Sequence, residues 1–176
     1  AEELKGVPSS FLESDGVKTG EDAYSVKANV TWHFLNIMEN AQSETTRRRM
    51  KEARYSLAGD KNVALLQSIL NLRTRIAHLL GYTTWADYQT EVKMAGNGET
   101  ALTFLKELKD GLQPKFDAEI ETYRKLKAEE TGDANAQIHL WDWRYYSNQL
   151  KKKEYNVDAE QLRVYFPYDQ TLKGMF

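Results

Sequence analysis

Apolar residues recur at helical spacing along most of this chain, and that spacing is the strongest constraint on its fold. The pattern is clearest over residues 61–80, where Val63 and Leu66 begin a stripe that repeats every three or four positions. Asp60 precedes the stripe as a capping residue, and Gly81 follows it at the position where glycine commonly ends a helix. The sequence therefore predicts an amphipathic helix over 61–80.

Further helices are predicted from the same spacing and from capping residues. Pro114 lies within the longest of them, and because proline removes a backbone donor and clashes one turn back, we expect a kink or a short break there. The sequence predicts a turn or short helix near residues 32–38, a helix capped by Ser43 that runs to about Leu57, a short helix starting at Thr83 or Thr84, a long helix from Glu99 to about Glu130, a helix from about Leu140 to Lys152, and a short helix from Asp158 to about Tyr165.

Residues 1–30 differ from the rest and are predicted to be irregular, with room for a short helix at Ala1–Leu4. Tyr24–Val30 alternates apolar and polar side chains, which is typical of a half-buried strand. A lone strand needs a partner, which we expect near Ser10–Leu12 or outside this chain. The predicted fold class is mainly α, a multi-helix array over 31–176 with at most one short β-strand or hairpin near the N-terminus.

Composition and charge argue against several classes of protein. The 24 basic and 26 acidic residues give a net charge of −2, whereas nucleic-acid binders normally carry a basic excess. The chain has no cysteine and no apolar run long enough for a transmembrane helix. Residues 1–5 do not show the basic-then-apolar pattern of a signal peptide. We therefore expect no nucleic-acid partner, no membrane partner and a cytoplasmic location.

The residues that usually carry catalysis do not form a recognisable motif. His33, His78 and His139 stand alone beside apolar residues, and none belongs to the H-E-x-x-H pattern of a helical zinc site. The basic runs Arg47–Arg49 and Lys151–Lys153 lie near helix ends and are predicted to be solvated. We predict no catalytic residue and no metal ligand within this sequence.

One cluster is unusually rich in aromatic side chains: Trp141–Tyr146 holds two tryptophans, two tyrosines, an aspartate and an arginine. In one interpretation it is a helix that packs on two sides, with Asp142 holding its own helical turn or pairing with an arginine. In the other it is a cleft wall that presents rings and hydrogen-bonding groups to a peptide. Both interpretations stay open, and the second makes Asp142, Tyr145 and Tyr146 candidate channel residues.

The end of the chain favours a piece of a larger protein. Asp169 is a good capping residue, so a helix starts there and stops within two turns on Met175 and Phe176, both apolar. We expect residues 1–176 to be a single helical segment truncated from a larger fold, with no linker that divides it. Buried surface exposed by truncation should give an apolar patch near Phe166–Phe176 or self-association.

Five sequence elements in order resemble the thimet oligopeptidase, neurolysin and peptidyl-dipeptidase family of zinc metallopeptidases. The match runs from about residue 30 to the end of the chain, and its motifs are more specific together than singly. The elements are Leu72–Tyr88 (LRTRIAHLLGYTTWADY), Lys93–Ala95 (KMA), Trp141–Tyr146 (WDWRYY), Tyr155–Asp158 (YNVD), and Tyr165–Pro167 (YFP) followed by Leu172–Phe176 (LKGMF).

The resemblance implies a mostly helical peptidase with a deep channel between two halves. In that family an H-E-x-x-H helix and a further glutamate bind one zinc ion, and the base glutamate activates water to cleave short peptides. The zinc helix follows the element matched by Gly174–Phe176, so no zinc ligand carries over to this chain. The resemblance thus implies a non-catalytic, inactive segment of a hydrolase, with Asp142, Tyr145 and Tyr146 contributing to the channel wall. The alternative is a free-standing helical module that binds a protein or peptide through Trp141–Tyr146 without catalysis.

Overall fold

The computed structural model describes residues 2–175 and shows a mainly α fold, as predicted. A 3-10 helix at Glu2–Leu4 comes first and matches the short helix expected there. The α-helices that follow are α1 (Ser9–Leu12), α2 (Thr31–Asn40), α3 (Glu44–Tyr55), α4 (Gly59–Leu79), α5 (Trp85–Thr90), α6 (Gly98–Thr131), α7 (Trp143–Tyr155), α8 (Ala159–Arg163) and α9 (Tyr168–Met175).

The strand expected at Tyr24–Val30 is wrong in its extent, since only Tyr24 makes a β-bridge, an isolated antiparallel one to Lys18. The backbone groups nearby are used in local structure instead. The amides of Thr19 and Gly20 both donate to the Ala23 carbonyl, which closes a tight turn. Further along, the Lys27 amide donates to Nδ1 of His33 in α2. This amide therefore bonds to a side chain of the next helix and not to a neighbouring strand.

Several helix ends follow the capping chemistry of the sequence, but the caps predicted at Asp60 and Asp169 do not: α9 begins at Tyr168 and holds Asp169 in its first turn. Ser43 Oγ accepts a hydrogen bond from the Thr46 amide at 3.2 Å and caps α3, as predicted. Gly81 ends α4 with φ +84°, which confirms the expected glycine terminator. The cap predicted at Asp60 is wrong, because α4 begins at Gly59, two residues before the predicted start, and Asp60 lies in its first turn, where its charge suits the helix dipole.

The break expected at Pro114 is absent, because α6 runs as one helix of 34 residues from Gly98 to Thr131. Pro114 is exposed, and the spacing of the stripe formed by Leu108, Leu112 and Phe116 places it on the opposite side of the helix. The carbonyl of Asp110 loses its helical donor there, but it lies at an exposed position where water can replace that donor. The helix therefore loses one hydrogen bond and continues.

The chain divides into two compact units. Unit 1 comprises Ala1–Leu57 and Ile120–Phe176, and unit 2 comprises Ala58–Glu119. In unit 1, α2 packs against both α3 and α7. This packing buries a core whose described members are Val7, Phe11, Val17, Phe34, Ile37, Met38, Ala41 and Met50.

Unit 2 consists of α4, α5 and the first part of α6. The Asp87 carboxylate accepts hydrogen bonds from the amide of Gly98 at 3.0 Å and from the hydroxyl of Thr84, which joins α5 to the start of α6. Within this unit only Ala77 is fully buried among the described residues. Its large apolar side chains on α4 and α6 are exposed instead.

Candidate functional site

The three side chains singled out in the sequence lie together inside unit 1, at the beginning of α7. Asp142 precedes the helix, and Tyr145 and Tyr146 occupy its first turn. Their relative exposures are 0% for Asp142 and 2% for each tyrosine. The structure therefore places the predicted site residues in the interior of this unit, where they contact other helices of the unit.

The Asp142 carboxylate lies at the centre of a buried ion network. Its Oδ1 accepts a hydrogen bond from Arg47 Nη2 on α3 at 2.8 Å. Its Oδ2 accepts one from Lys127 Nζ on α6 at 2.7 Å and one from the His139 amide at 3.0 Å. A carboxylate removed from water is stable only when it is paired and hydrogen-bonded, and all three of these contacts supply that.

Glu44 supplies the second negative charge of this network. Its carboxylate lies 3.0 Å from Lys127 Nζ and accepts a hydrogen bond from Trp141 Nε1 at 2.9 Å. Partial burial raises the pKa of Glu44, but the hydrogen bonds from Trp141 and Lys127 and the charges of Lys127 and Arg47 outweigh it, so the pKa falls below its ordinary value. Two carboxylates and two cations thus balance one another in charge.

Arg47 connects the network to the backbone and to the aromatic rings. Its Nη1 donates to the carbonyl oxygens of Ala41 at 2.7 Å and Gln42 at 2.9 Å. The guanidinium carbon lies 4.3 Å from the centre of the Tyr145 ring and 5.9 Å from that of Tyr146. Within residues 2–175, Arg47 Nε is the one buried side-chain nitrogen or oxygen without a hydrogen-bond partner.

The two tyrosines stay protonated in this environment. Tyr145 Oη donates to Glu130 Oε1 at 2.6 Å, and the Tyr145 and Tyr146 rings meet edge to face at 5.0 Å. Burial, together with the nearby Glu130 carboxylate, raises the pKa of both phenols well above the ordinary value of 10.0. Their chemistry at neutral pH is therefore that of neutral hydrogen-bond donors and apolar rings.

The network holds three helices of unit 1 in one arrangement. Arg47 and Glu44 belong to α3, Lys127 to α6, and Asp142 stands at the start of α7. Removal of any one member would leave a buried charge of the opposite sign uncompensated. The observed pair of Asp142 with Arg47 agrees with the interpretation of Trp141–Tyr146 as a helix that packs on two sides. The channel role stays a prediction.

The sequence suggested an arginine partner for Asp142 but did not identify Arg47 or Lys127. Arg47 was expected to be a solvated residue in a basic run, and that expectation is wrong, since its side chain is 1% exposed. A local signal was present, because Arg47 and Met50 are spaced i, i+3 and both lie on the buried face of α3. Nothing in the sequence near Lys127 indicates burial, because its partner lies 15 residues away.

One cavity at the surface of unit 1 lies apart from these residues. It has a volume of about 710 Å³ and lies between the N-terminal 3-10 helix, the segment around Tyr24 and α3. Val26 and Met50 contribute apolar lining, and an ion pair of 3.2 Å between Glu3 and Arg49 stands at the same cavity. The lining of this cavity combines apolar side chains with a few charged groups.

The three histidines serve local structure. His33 is buried, and its Nδ1 accepts the hydrogen bond from the Lys27 amide at 3.1 Å. His78 Nε2 lies 3.2 Å from the Thr83 carbonyl, and the His139 ring lies 4.9 Å from that of Trp141. Residues 2–175 contain no group of three or more histidine, cysteine, aspartate or glutamate side chains placed to hold a metal ion.

Among residues 2–175, no helix is at once long and apolar enough to cross a bilayer.

Comparison with known proteins gives a consistent result. Residues 37–176 match the sequence model of Peptidase family M3. The chain is 35% identical over 182 residues to saccharolysin of Saccharomyces cerevisiae, covering 99% of this chain and 25% of that protein. It is 29% identical over 185 residues to oligopeptidase A of Escherichia coli, covering 99% of this chain and 27% of the relative. It is 26% identical over 176 residues to the probable thimet oligopeptidase of Arabidopsis thaliana, covering 99% of this chain and 24% of that protein. The chain thus spans about a quarter of the length of these relatives.

Proposed function

Because this chain belongs to peptidase family M3, we propose that it is a non-catalytic helical segment of a zinc-dependent oligopeptidase that cleaves short peptides. The observation that carries the proposal is the match of 99% of the chain to a quarter of saccharolysin and of oligopeptidase A. A segment of that size contributes to a larger enzyme, and its relatives are hydrolases by name. The resemblance in five sequence elements supports the same assignment.

The proposal assigns the zinc chemistry to residues outside this chain. Members of family M3 are generally zinc-dependent. The sequence has no H-E-x-x-H pattern, and the described residues do not fit a metal ion because no suitable donor group is assembled among them. No catalytic step is therefore derived through the side chains of this segment. We expect the isolated chain to bind no zinc and to hydrolyse no peptide.

The contribution that we propose for this segment is to form part of the wall of the peptide channel. Asp142, Tyr145 and Tyr146 are buried, so they would act from behind the wall by fixing the start of α7 to α3 and α6. A fixed helix lets the wall keep its shape when a flexible peptide binds. This arrangement favours a positioning role for the three residues, without direct contact to the peptide.

The test is a chimera in which residues 1–176 replace the matching quarter of saccharolysin. We expect a folded, zinc-containing chimera that cleaves short peptides and excludes folded proteins. Asp142→Asn should alter the dependence of kcat/KM on peptide length more than the exposed change Asp110→Asn does. A folded chimera with zinc bound but without peptide hydrolysis would contradict the proposal, as would peptide hydrolysis by the isolated chain.

The alternative function, a free-standing interaction module, would present Trp141–Tyr146 to a partner. Three of the six residues in that cluster are buried within unit 1, which leaves Trp143 as its exposed ring. This burial favours the enzyme segment over the module. The proposal also includes a cytoplasmic location for the full enzyme, which fractionation of cells that express it would test.

A further inference from the structure

The helix α4 carries large apolar side chains on two adjacent faces, and each of them is exposed. One row contains Val63, Leu66 and Leu70, and the next row around the helix starts at Leu65. Together the rows occupy about half of the helix circumference. Their relative exposures range from 43% to 72%. We call this set the α4 apolar surface: Val63, Leu65, Leu66, Ile69, Leu70, Leu72 and Ile76.

The opposite side of α4 has the character of a solvent-facing surface. Gln67 Nε2 donates to Asn71 Oδ1 at 3.2 Å, so these two amides satisfy each other along the helix. Thr74 on the same side donates to the carbonyl of Leu70 at 3.0 Å. No charged residue occurs from 62 to 72. A helix with an apolar half and no charge over three turns is typical of one with neighbours on two sides.

The exposed area of the whole chain, to which α6 and the segment 165–175 contribute as well as α4, shows how much cover the chain needs in total. Two separately compact bodies of the sizes of units 1 and 2 would expose roughly 10,500 Å². The chain exposes 13240 Å², which is about 2,700 Å² more by that estimate. A standard protein interface buries about 800 Å² on each partner. The excess is about three times that share, so one patch shared with a second copy would leave most of it exposed.

We propose that the α4 apolar surface packs against polypeptide of the same peptidase that lies outside residues 1–176. The curated relatives are about four times as long as the segment they share with this chain, so their remaining length can provide that cover. The partner surface must be mainly apolar, since α4 offers no charge to pair with between residues 62 and 72. Arg73, which follows on the same side of the helix, has its guanidinium carbon 5.6 Å from the centre of the Trp85 ring. In the enzyme, α4 is then an interior helix and does not line the aqueous channel. The inference rests on family membership and goes beyond the channel-wall proposal.

The test uses two neighbouring cysteine substitutions, which the cysteine-free sequence permits. Leu66→Cys places the thiol on the α4 apolar surface, and the matched control Gln67→Cys places it on the polar side. Each variant is treated with a maleimide both as the isolated chain at low concentration and within the saccharolysin chimera. Peptide mass spectrometry then reads the labelling rate at each site.

We expect similar labelling rates for both thiols in the isolated chain. In the chimera, the thiol of Leu66→Cys should react at least about a hundredfold more slowly than in the isolated chain, because labelling of a buried thiol requires local opening. The rate for Gln67→Cys should change less than about threefold between the two proteins. Equal labelling in a folded chimera would overturn the proposal. Protection of Leu66→Cys in the isolated chain would also overturn it, indicating cover by unit 1 if independent of concentration and by a second copy if concentration-dependent.

A chimera without cooperative unfolding would count against the proposal as well, because the surface would then not fit the rest of this enzyme. The labelling result is independent of catalysis. A chimera that protects Leu66→Cys but hydrolyses no peptide would sustain this inference and contradict the proposed function.

Discussion

Units 1 and 2 both contain helices with clear apolar stripes, but the stripe of α2 in unit 1 is buried whereas the stripes of α4 and α6 in unit 2 are exposed. In unit 1, α2 packs against α3 and α7 and side chains such as Ile37 and Met38 are 1% exposed. In unit 2, the large apolar side chains of α4 and of the first part of α6 are exposed. The difference teaches that helical spacing identifies which face of a helix is apolar but does not identify the polypeptide that packs against that face.

The polar contacts of the two units differ in the same way. Unit 1 contains hydrogen bonds between distant parts of the chain, such as Asn148 Nδ2 to the Glu39 carbonyl at 3.0 Å and Arg54 Nη1 to the Ala28 carbonyl at 2.8 Å. The side-chain hydrogen bonds that the structure describes in unit 2 join residues at most 11 positions apart, as in Gly98 to Asp87 and Gln67 to Asn71. Unit 1 should therefore unfold cooperatively, and unit 2 should open at lower free energy.

The largest effect is expected from Asp142→Asn. This change removes the charge that compensates Arg47 and Lys127 at fully buried positions, and breaking a buried pair in this way costs about 3–5 kcal/mol. Urea unfolding followed by tryptophan fluorescence would measure it. Asp110→Asn, at an exposed position of unit 2, should change the free energy of unfolding by less than about 0.5 kcal/mol. Equal effects of the two substitutions would break the distinction between the units.

Truncation of one apolar side chain in each unit gives the next effect. Ile37→Ala removes a side chain that is 1% exposed and should cost about 3 kcal/mol in the isolated chain. Leu70→Ala removes one that is 47% exposed and should cost less than about 1 kcal/mol, apart from the gain in helix propensity. Thermal and urea unfolding of both variants would measure the difference. A loss of unfolding free energy for Leu70→Ala as large as that for Ile37→Ala would show that α4 is already covered within the chain.

Two glycines provide a matched pair with effects of opposite sign. Gly6 has φ +88°, and an added Cβ would lie 2.4 Å from the Asn40 carbonyl oxygen, so Gly6→Ala should destabilise unit 1 by about 2 kcal/mol. Gly111 lies within α6 with open space around it, so Gly111→Ala should stabilise that helix by about 0.5–1 kcal/mol. Helix content by circular dichroism and unfolding curves would measure both. A destabilising Gly111→Ala would indicate that α6 has a close neighbour.

The smallest effect concerns His33, whose protonation should weaken unit 1. Burial, and then the charge of Lys27, lowers the pKa of His33 below its ordinary value of 6.5. The folded state thus prefers neutral His33, and its contribution is fully present above pH 6.5 and is lost as the pH falls below that value. His33→Gln should flatten the stability profile between about pH 7 and 5. An unchanged slope would contradict this assignment.

Local features of the fold could be predicted from the sequence, and long-range features could not. Ser43 and Gly81 end helices through contacts with residues a few positions away, so their roles follow from the local sequence. The pairing of Arg47 with Asp142 joins positions 95 residues apart, and a basic run near a helix end gives no sign of it. The prediction of a strand at Tyr24–Val30 was wrong because the Lys27 amide donates to the His33 side chain of α2 and not to a neighbouring strand.

Amide hydrogen exchange of the isolated 176-residue chain tests the central claim most directly. The account predicts slow exchange for the amides of α2, α3 and α7, at rates set by global unfolding of unit 1. It predicts exchange at least about a hundredfold faster for the middle of α4 and for α6 before residue 119, where the apolar faces lack cover. Equal protection of α4 and α3 in dilute solution would contradict the account, because α4 would then be buried without any further polypeptide.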